Sequence, residues 1–123
     1  MEDQCMTRSV LVVNDDPAFR GLAVRMLTAA GLEVVAQADS AAAAMAAARA
    51  VKPEAALVDV DLPDRDGIAL ALELSALPWR PRVLLTSADL DAASADDVRR
   101  CGASAFVHKA DLPNGAFAHL LAA

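Results

Sequence analysis

The order of apolar and polar positions along the chain predicts five strands that alternate with five helices. Short apolar runs predict strands at 9–13, 32–38, 54–60, 81–87 and 104–109. Segments with apolar residues at three- and four-residue spacing predict helices at 17–31, 40–52, 66–77, 91–102 and 113–123. Residues 1–8 have no such pattern, so we expect a flexible arm there and a single domain over 9–123.

The predicted strands are apolar on both sides, which is typical of parallel strands covered by helices on both faces of a sheet. Strictly alternating strands and helices with right-handed crossovers favour a doubly wound, five-stranded parallel sheet of the α/β class. Pro17 suits a first helical turn, Ser40 suits a helix N-cap, and Gly31 and Gly102 suit helix ends.

The composition excludes several classes of function. The 123 residues include 11 basic and 17 acidic side chains, and a net charge of −6 argues against nucleic-acid binding by this domain alone. No apolar stretch is long enough to span a bilayer, and no signal peptide is expected. Cys5 and Cys101 lack the spacing of a metal site and are predicted to be reduced thiols of a cytoplasmic protein.

Polar side chains collect where the predicted strands end. They are Asn14, Asp15 and Asp16 after the first strand, Asp59, Asp61 and Asp64 at the third, Thr86 and Ser87 at the fourth, and His108 and Lys109 at the fifth. The carboxyl ends of parallel strands meet at one edge of a sheet. Carboxylate and carbonyl oxygens suit Mg²⁺, whereas a lysine and a hydroxyl suit phosphoryl oxygens. The pattern therefore indicates Mg²⁺-assisted phosphoryl transfer onto Asp59.

Four segments in this order, VLVVNDDP, VDVDLPDRDG, VLLTSA and GASAFVHKADL, carry a family resemblance. Over about residues 9–123 the chain resembles the receiver domains of bacterial two-component response regulators. The resemblance implies a flavodoxin-like (β/α)5 fold and a Mg²⁺-dependent signalling domain that a histidine kinase phosphorylates. Any enzymatic activity would be limited to self-phosphorylation and autodephosphorylation.

The resemblance also implies residue roles. It makes Asp59 the phospho-acceptor, Asp15, Asp59 and the main-chain carbonyl of Asp61 the Mg²⁺ ligands, Lys109 the partner of the phosphoryl oxygens, Ser87 the switch hydroxyl and Phe106 the switch aromatic. Thr86 is a close alternative to Ser87, which lies at the interval before Lys109 that is usual in the family. A capping role for Asp59, a solvated Lys109 and a purely structural Phe106 remain as alternatives, and we expect His108 and His119 to be surface or edge residues.

Asn14 departs from the family pattern. The family usually has two acids at the end of the first strand, and these align with Asn14 and Asp15. The Asn14 carbonyl oxygen could still contact a metal-bound water, but one negative charge is lost, so we expect weak Mg²⁺ binding. Ala110 is a milder departure, because many relatives have proline after the lysine.

The expected partners are a histidine kinase and either a downstream protein or a missing C-terminal effector domain. The KADL segment resembles receivers that carry a helix-turn-helix domain, and a homodimer formed on phosphorylation is compatible with the resemblance. Neither nucleic acid nor a membrane is expected to bind this domain directly. A degenerate receiver that acts as a phosphorylation-independent interaction module is the main alternative. An aspartyl phosphatase is disfavoured by Pro63 and by the short chain.

Overall fold

The computed structural model describes residues 8–114 and residue 121. Its strands are β1 (Ser9–Val13), β2 (Glu33–Ala38), β3 (Ala55–Asp59), β4 (Arg82–Ser87) and β5 (Ala105–His108). The strands form a single parallel sheet in the order β2-β1-β3-β4-β5. The predicted five-stranded, doubly wound parallel sheet is therefore confirmed, and β3 is its central strand, flanked by β1 and β4.

Four α-helices connect the strands. They are α1 (Pro17–Ala29), α2 (Ala41–Val51), α3 (Gly67–Ser75) and α4 (Ala95–Cys101), and a 3-10 helix at Lys109–Asn114 follows β5. Asp16, Ser40 and Asp66 accept hydrogen bonds from the first turns of α1, α2 and α3, which satisfies amides that have no helical partner. Within the described part of the chain, no helix is long and apolar enough to cross a membrane.

Two apolar clusters cover the two faces of the sheet. Because side chains alternate along a strand, Leu11 and Val13 of β1 belong to one cluster and Val10 and Val12 to the other. The first cluster packs under α2, α3 and α4, and the second under α1. Every residue of β3 is buried, including Asp59, the last residue of the strand.

Helix α4 is shorter than predicted. The sequence pattern placed its start at residue 91, whereas the helix begins at Ala95. Ser94 and Asp97 form a reciprocal capping box, in which each side chain accepts from the other residue's backbone amide. The Asp89 carboxylate accepts from the Asp91 amide in a turn before that cap. Gly102 ends the helix with a φ of 82°, as predicted.

The segments predicted at the two ends of the chain lie largely outside the described residues. The proposed arm at 1–8 is described only at Arg8. Of the last predicted helix, at 113–123, the 3-10 helix includes the first two residues, and Leu121 is buried in the cluster under α1. His119 lies outside the described residues, as do 115–118, 120, 122 and 123.

Candidate functional site

Three polar side chains meet where β1, β3 and β5 end. Asn14 directly follows β1, Asp59 is the last residue of β3, and Lys109 directly follows β5. Asn14 is fully buried and Asp59 is only 3% exposed. Asp59 lies on the same face of the sheet as Leu57, which belongs to the cluster under α1. The parallel strands thus position a buried carboxylate beside an amide and an ammonium.

The Asp59 carboxylate has hydrogen-bond donors on both oxygens. Its Oδ2 accepts from the Asn14 Nδ2 at 2.7 Å and from the Lys109 Nζ at 3.1 Å. Its Oδ1 accepts from the Asp61 backbone amide at 3.1 Å. A buried carboxylate without such partners would be strongly destabilised by desolvation. These donors compensate the burial of the Asp59 carboxylate, and its Oδ1 carries fewer contacts than its Oδ2.

Asn14 is oriented differently from the sequence-based expectation. Its Oδ1 accepts from the Asp16 backbone amide at 2.8 Å. A backbone N–H can only donate, so this contact assigns the oxygen to Asp16 and the nitrogen to Asp59. The expected approach of the Asn14 oxygen to a metal-bound water is thus replaced by a direct hydrogen bond to the predicted phospho-acceptor.

Lys109 is held by an aromatic ring of α1 that the sequence analysis did not single out. The Lys109 Nζ lies 4.3 Å from the centroid of the Phe19 ring, within the range of a cation–π contact. The Lys109 side chain is 23% exposed, so it is not the solvated surface lysine of the alternative interpretation. Helical spacing could not single out Phe19, because a core phenylalanine has the same pattern.

The loop that follows Asp59 is fixed at two points. A Cβ added to Gly67 would collide with the Asp59 carbonyl oxygen, so only glycine permits this close approach at the start of α3. The Asp64 carboxylate accepts from the Ala41 and Ala42 amides at 2.8 and 3.0 Å, at the start of α2. These two backbone hydrogen bonds hold the pKa of Asp64 below its ordinary value.

The two candidate switch hydroxyls lie on opposite faces of the sheet. Ser87 donates to the Asp61 Oδ2 at 2.8 Å and accepts from the Asp89 amide at 3.0 Å. Thr86 is paired in register with Asp59, is fully buried, and its hydroxyl has no hydrogen-bond partner in the structure. Neither hydroxyl bonds to Asp59, so the choice between Ser87 and Thr86 stays open.

Phe106 and His108 occupy alternate positions of the edge strand β5. Phe106 is half-buried against the cluster under α4 and lines a surface cavity of about 380 Å³ together with Val98. His108 contacts the Ala88 carbonyl oxygen through its Nε2 at 2.7 Å, and this nitrogen must donate because a carbonyl only accepts. His108 is thus an edge residue, as expected, and it ties β5 to the loop before α4.

Carboxylate and main-chain carbonyl oxygens, the donor types offered by Asp15, Asp59 and Asp61, suit a hard cation of the Mg²⁺ type. Asp15 is exposed and directly follows the buried Asn14, and the Asp59 Oδ1 has a single protein donor. Residues 8–114 and 121 contain no group of three or more His, Cys, Asp or Glu side chains that could hold a metal. A cation here would therefore need main-chain carbonyl and water oxygens as well, which Mg²⁺ commonly retains.

Comparisons with known proteins identify the family of the chain. The family profile of the response regulator receiver domain matches residues 10–115. A putative transcriptional regulator of Pseudomonas aeruginosa is 37% identical over 101 residues, which are 81% of this chain and 48% of that protein. The chemotaxis protein CheY of Bacillus subtilis is 28% identical over 104 residues, which are 85% of this chain and 87% of CheY.

Solved structures give the same result. A two-component response regulator of the LuxR family from Aurantimonas sp. SI85-9A1 superposes with a TM-score of 0.81 at 28% identity, over 93% of this chain and 85% of that chain. The chain spans about half the length of the Pseudomonas regulator, whereas it spans most of CheY. The chain belongs to the response regulator receiver domain family of two-component systems.

Proposed function

We propose that this receiver domain accepts a phosphoryl group from a histidine kinase onto Asp59 and thereby changes a protein-interaction surface around Phe106. The observation that carries the proposal is the buried Asp59 carboxylate, with the Lys109 ammonium 3.1 Å from its Oδ2. Lys109 directly follows the edge strand β5, so its ammonium is positioned to neutralise charge on a phosphoryl group bound to this carboxylate. Receiver domains in general depend on Mg²⁺ and interact with histidine kinases and effector domains.

The proposed transfer needs no base, because the carboxylate of Asp59 is already the nucleophile. One of its oxygens attacks the phosphorus, the bond from phosphorus to the kinase histidine nitrogen breaks, and the imidazole leaves with the electron pair. Lys109 neutralises charge on the phosphoryl oxygens, and the Asp61 amide helps to orient the acceptor. Mg²⁺, held by Asp15, Asp59 and the main-chain carbonyl of Asp61, would supply further neutralisation of phosphoryl charge.

The proposed switch links this step to β4 and β5. An acyl-phosphate brings new acceptor oxygens, and Ser87 would leave Asp61 to donate to them. Movement of Ser87 and of the loop after it would then open the space into which Phe106 can turn. The cavity next to Phe106, formed with α4 and the loop before it, supports such a rearrangement. The change is a population shift between two packings.

The proposal extends to partners and location. A histidine kinase is the proposed donor, and a downstream protein or an effector domain is the proposed reader, since the Pseudomonas relative is about twice as long as the matched region. A homodimer formed on phosphorylation would use the same surface. A cytoplasmic location is part of the proposal, in keeping with the buried free thiol of Cys101.

The test is phosphorylation by a small-molecule donor. Incubation of the wild-type protein with acetyl phosphate and Mg²⁺ should add a single phosphoryl group, seen by intact mass spectrometry. Asp59→Asn should abolish the added mass, and Asp61→Asn, which removes a neighbouring carboxylate, should retain it. Equal labelling of Asp59→Asn and the wild type would contradict the assignment of Asp59.

A second candidate, the degenerate receiver, is favoured by one observation. The Asn14 amide bonds directly to Asp59 and, with Lys109, compensates its charge without a metal ion. A domain of this kind would bind its partner without phosphorylation. Absence of labelling by both acetyl phosphate and a kinase, combined with an intact fold, would favour this candidate.

A further inference from the structure

A cavity of about 390 Å³ lies at the edge of the sheet opposite to Asp59, where strands begin. Its lining consists of Arg8 before β1, Lys52 and Glu54 before β3, and Trp79, Arg80 and Arg82 around the start of β4. The phospho-acceptor lies at the other end of β3. This cavity therefore has no part in the proposed phosphoryl transfer.

The cavity concentrates positive charge in a chain whose net charge is −6. It has four cationic side chains and a single carboxylate, Glu54, whose oxygens contact the Ser9 amide at 3.1 Å and Arg8 at 3.9 Å. Lys52, Arg80 and Arg82 make no ion pair with any described residue. Four like charges with a single counter-charge repel each other, and an anion in the cavity would relieve that repulsion.

The backbone at the cavity has an unusual conformation at two of its cationic residues. Lys52 and Arg80 have φ angles of 47° and 46°, and they are the two non-glycine residues with positive φ in the described part of the chain. The left-handed conformation is unfavourable for residues with a Cβ, and glycine or asparagine would adopt it more readily. Both strained positions instead carry a long cationic side chain into one cavity.

Trp79 provides a rigid wall between these cations. Its Nε1 donates to the Pro53 carbonyl oxygen at 2.9 Å, which fixes the ring, and the Lys52 Nζ lies 5.9 Å from the ring centroid. The indole is half-buried, so part of it faces the cavity. A fixed aromatic wall next to guanidinium groups is preorganised for a ligand and loses little entropy on binding.

We propose that this cavity binds a small phosphorylated anion that carries a chain of two or three phosphates, alone or as part of a nucleotide. Guanidinium groups pair with phosphate oxygens in a bidentate geometry, and several cations suit several phosphates. The volume lies within the range of about 300–1,000 Å³ typical of small-molecule sites. The acidic remainder of the domain would repel a long nucleic acid, which favours a small ligand.

The experiment uses Trp79 as its own reporter, because the chain has one tryptophan and no tyrosine. Tripolyphosphate and ATP are titrated separately into the full chain, without Mg²⁺ and at constant ionic strength, while tryptophan fluorescence is recorded. We expect a saturable change with at least one of the two. Binding of both would assign recognition to the phosphate chain, and binding of ATP alone would add recognition of the nucleoside.

Charge-removing variants test whether the binding occurs in this cavity. Arg80→Gln and Arg82→Gln should each weaken binding by roughly tenfold. Arg25→Gln, which removes an exposed arginine of α1 that does not line the cavity, should leave the affinity unchanged. Phosphorus NMR line broadening of tripolyphosphate by the wild-type protein gives a second measurement that does not depend on the folding of any variant.

Three results would overturn the proposal. They are the absence of a saturable change with both anions, equal weakening by the Arg25→Gln control, and a stronger response to a short DNA duplex than to either small anion. The last result would make the cavity part of a nucleic-acid surface. Acetyl phosphate labelling of Asp59 is independent of all three, so the two proposals succeed or fail separately.

Discussion

The side-chain amide of Asn14 donates a hydrogen bond of 2.7 Å to the carboxylate of Asp59. This contact puts a neutral donor at the position where the family resemblance led us to expect a second acid. The predicted phospho-acceptor is thereby stabilised by Asn14 and Lys109 together, without a metal ion. Three functional properties should depend on it: the affinity for Mg²⁺, the stability of the metal-free domain and the readiness of Asp59 to react.

Substitution of Asn14 by aspartate should tighten Mg²⁺ binding and destabilise the metal-free protein. The variant places a second carboxylate against Asp59 and removes a hydrogen bond to a buried charge, which is worth about 1.5–3 kcal/mol. Isothermal titration with Mg²⁺ and urea unfolding in a chelator measure the two effects. Gln37→Glu adds the same charge at an exposed position of β2 and should change neither strongly. Unchanged Mg²⁺ affinity in Asn14→Asp would rule out this view of Asn14.

The ring of Phe19 should tune phosphorylation through Lys109. Phe19→Leu keeps an apolar side chain but removes the cation–π contact, which is worth about 0.5–2 kcal/mol. We expect the rate of labelling by acetyl phosphate to fall by roughly twofold to tenfold, because Lys109 is held less firmly. Met26→Leu, on the same helix and against the same cluster, is the matched control. Equal rates in both variants would exclude a role for the ring.

The open choice between Ser87 and Thr86 can be settled by one pair of variants. Ser87→Ala should leave labelling of Asp59 largely intact but weaken the conformational response, since Ser87 is the proposed donor to the acyl-phosphate. Thr86→Val removes a hydroxyl that has no partner and should stabilise the domain slightly, with a normal response. A lost response in Thr86→Val, with a normal one in Ser87→Ala, would reverse the assignment.

The hydrogen bonds from the first turn of α2 to the Asp64 carboxylate should make the free energy of unfolding depend on pH. The backbone amides of Ala41 and Ala42 lower the pKa of Asp64 in the folded state below its ordinary value of 3.8. Its contribution is therefore present above that value and is lost as the pH falls through the lower, folded-state pKa. Urea unfolding between about pH 7 and about pH 3 should show a smaller loss for Asp64→Asn than for the wild type. Parallel curves would contradict this role.

Apolar patterning predicted the strands well because the inner strands β1, β3 and β4 are buried on both faces, which leaves a continuous apolar run in the sequence. The position of the candidate site followed from the same pattern, because the residues that follow parallel strands lie at the same edge of the sheet. The start of α4 was wrong by four residues because the Ser94 and Asp97 capping box competes locally with the helical pattern. Such a box depends on side-chain geometry that overall periodicity does not encode.

The details of the site were harder to predict. The direction in which Asn14 points depends on the Asp16 amide, a local turn that apolar patterning does not reveal. The contact between Phe19 and Lys109 joins two distant parts of the chain, and each residue alone has an ordinary explanation. The cavity lined by Lys52 and Arg80 was missed for the same reason, because its cations are brought together only by the fold.

The central claim is that a phosphoryl group on Asp59 changes the surface around Phe106. Its most direct test is an NMR shift map of the wild-type protein with Mg²⁺, recorded with and without beryllofluoride, a mimic of the acyl-phosphate. We predict shifts at Asp15 and Asp59 that continue through Ser87 to Phe106 and α4, and no such shifts in Asp59→Asn. Shifts confined to the loops around Asp15 and Asp59, with Phe106 unchanged, would contradict the account.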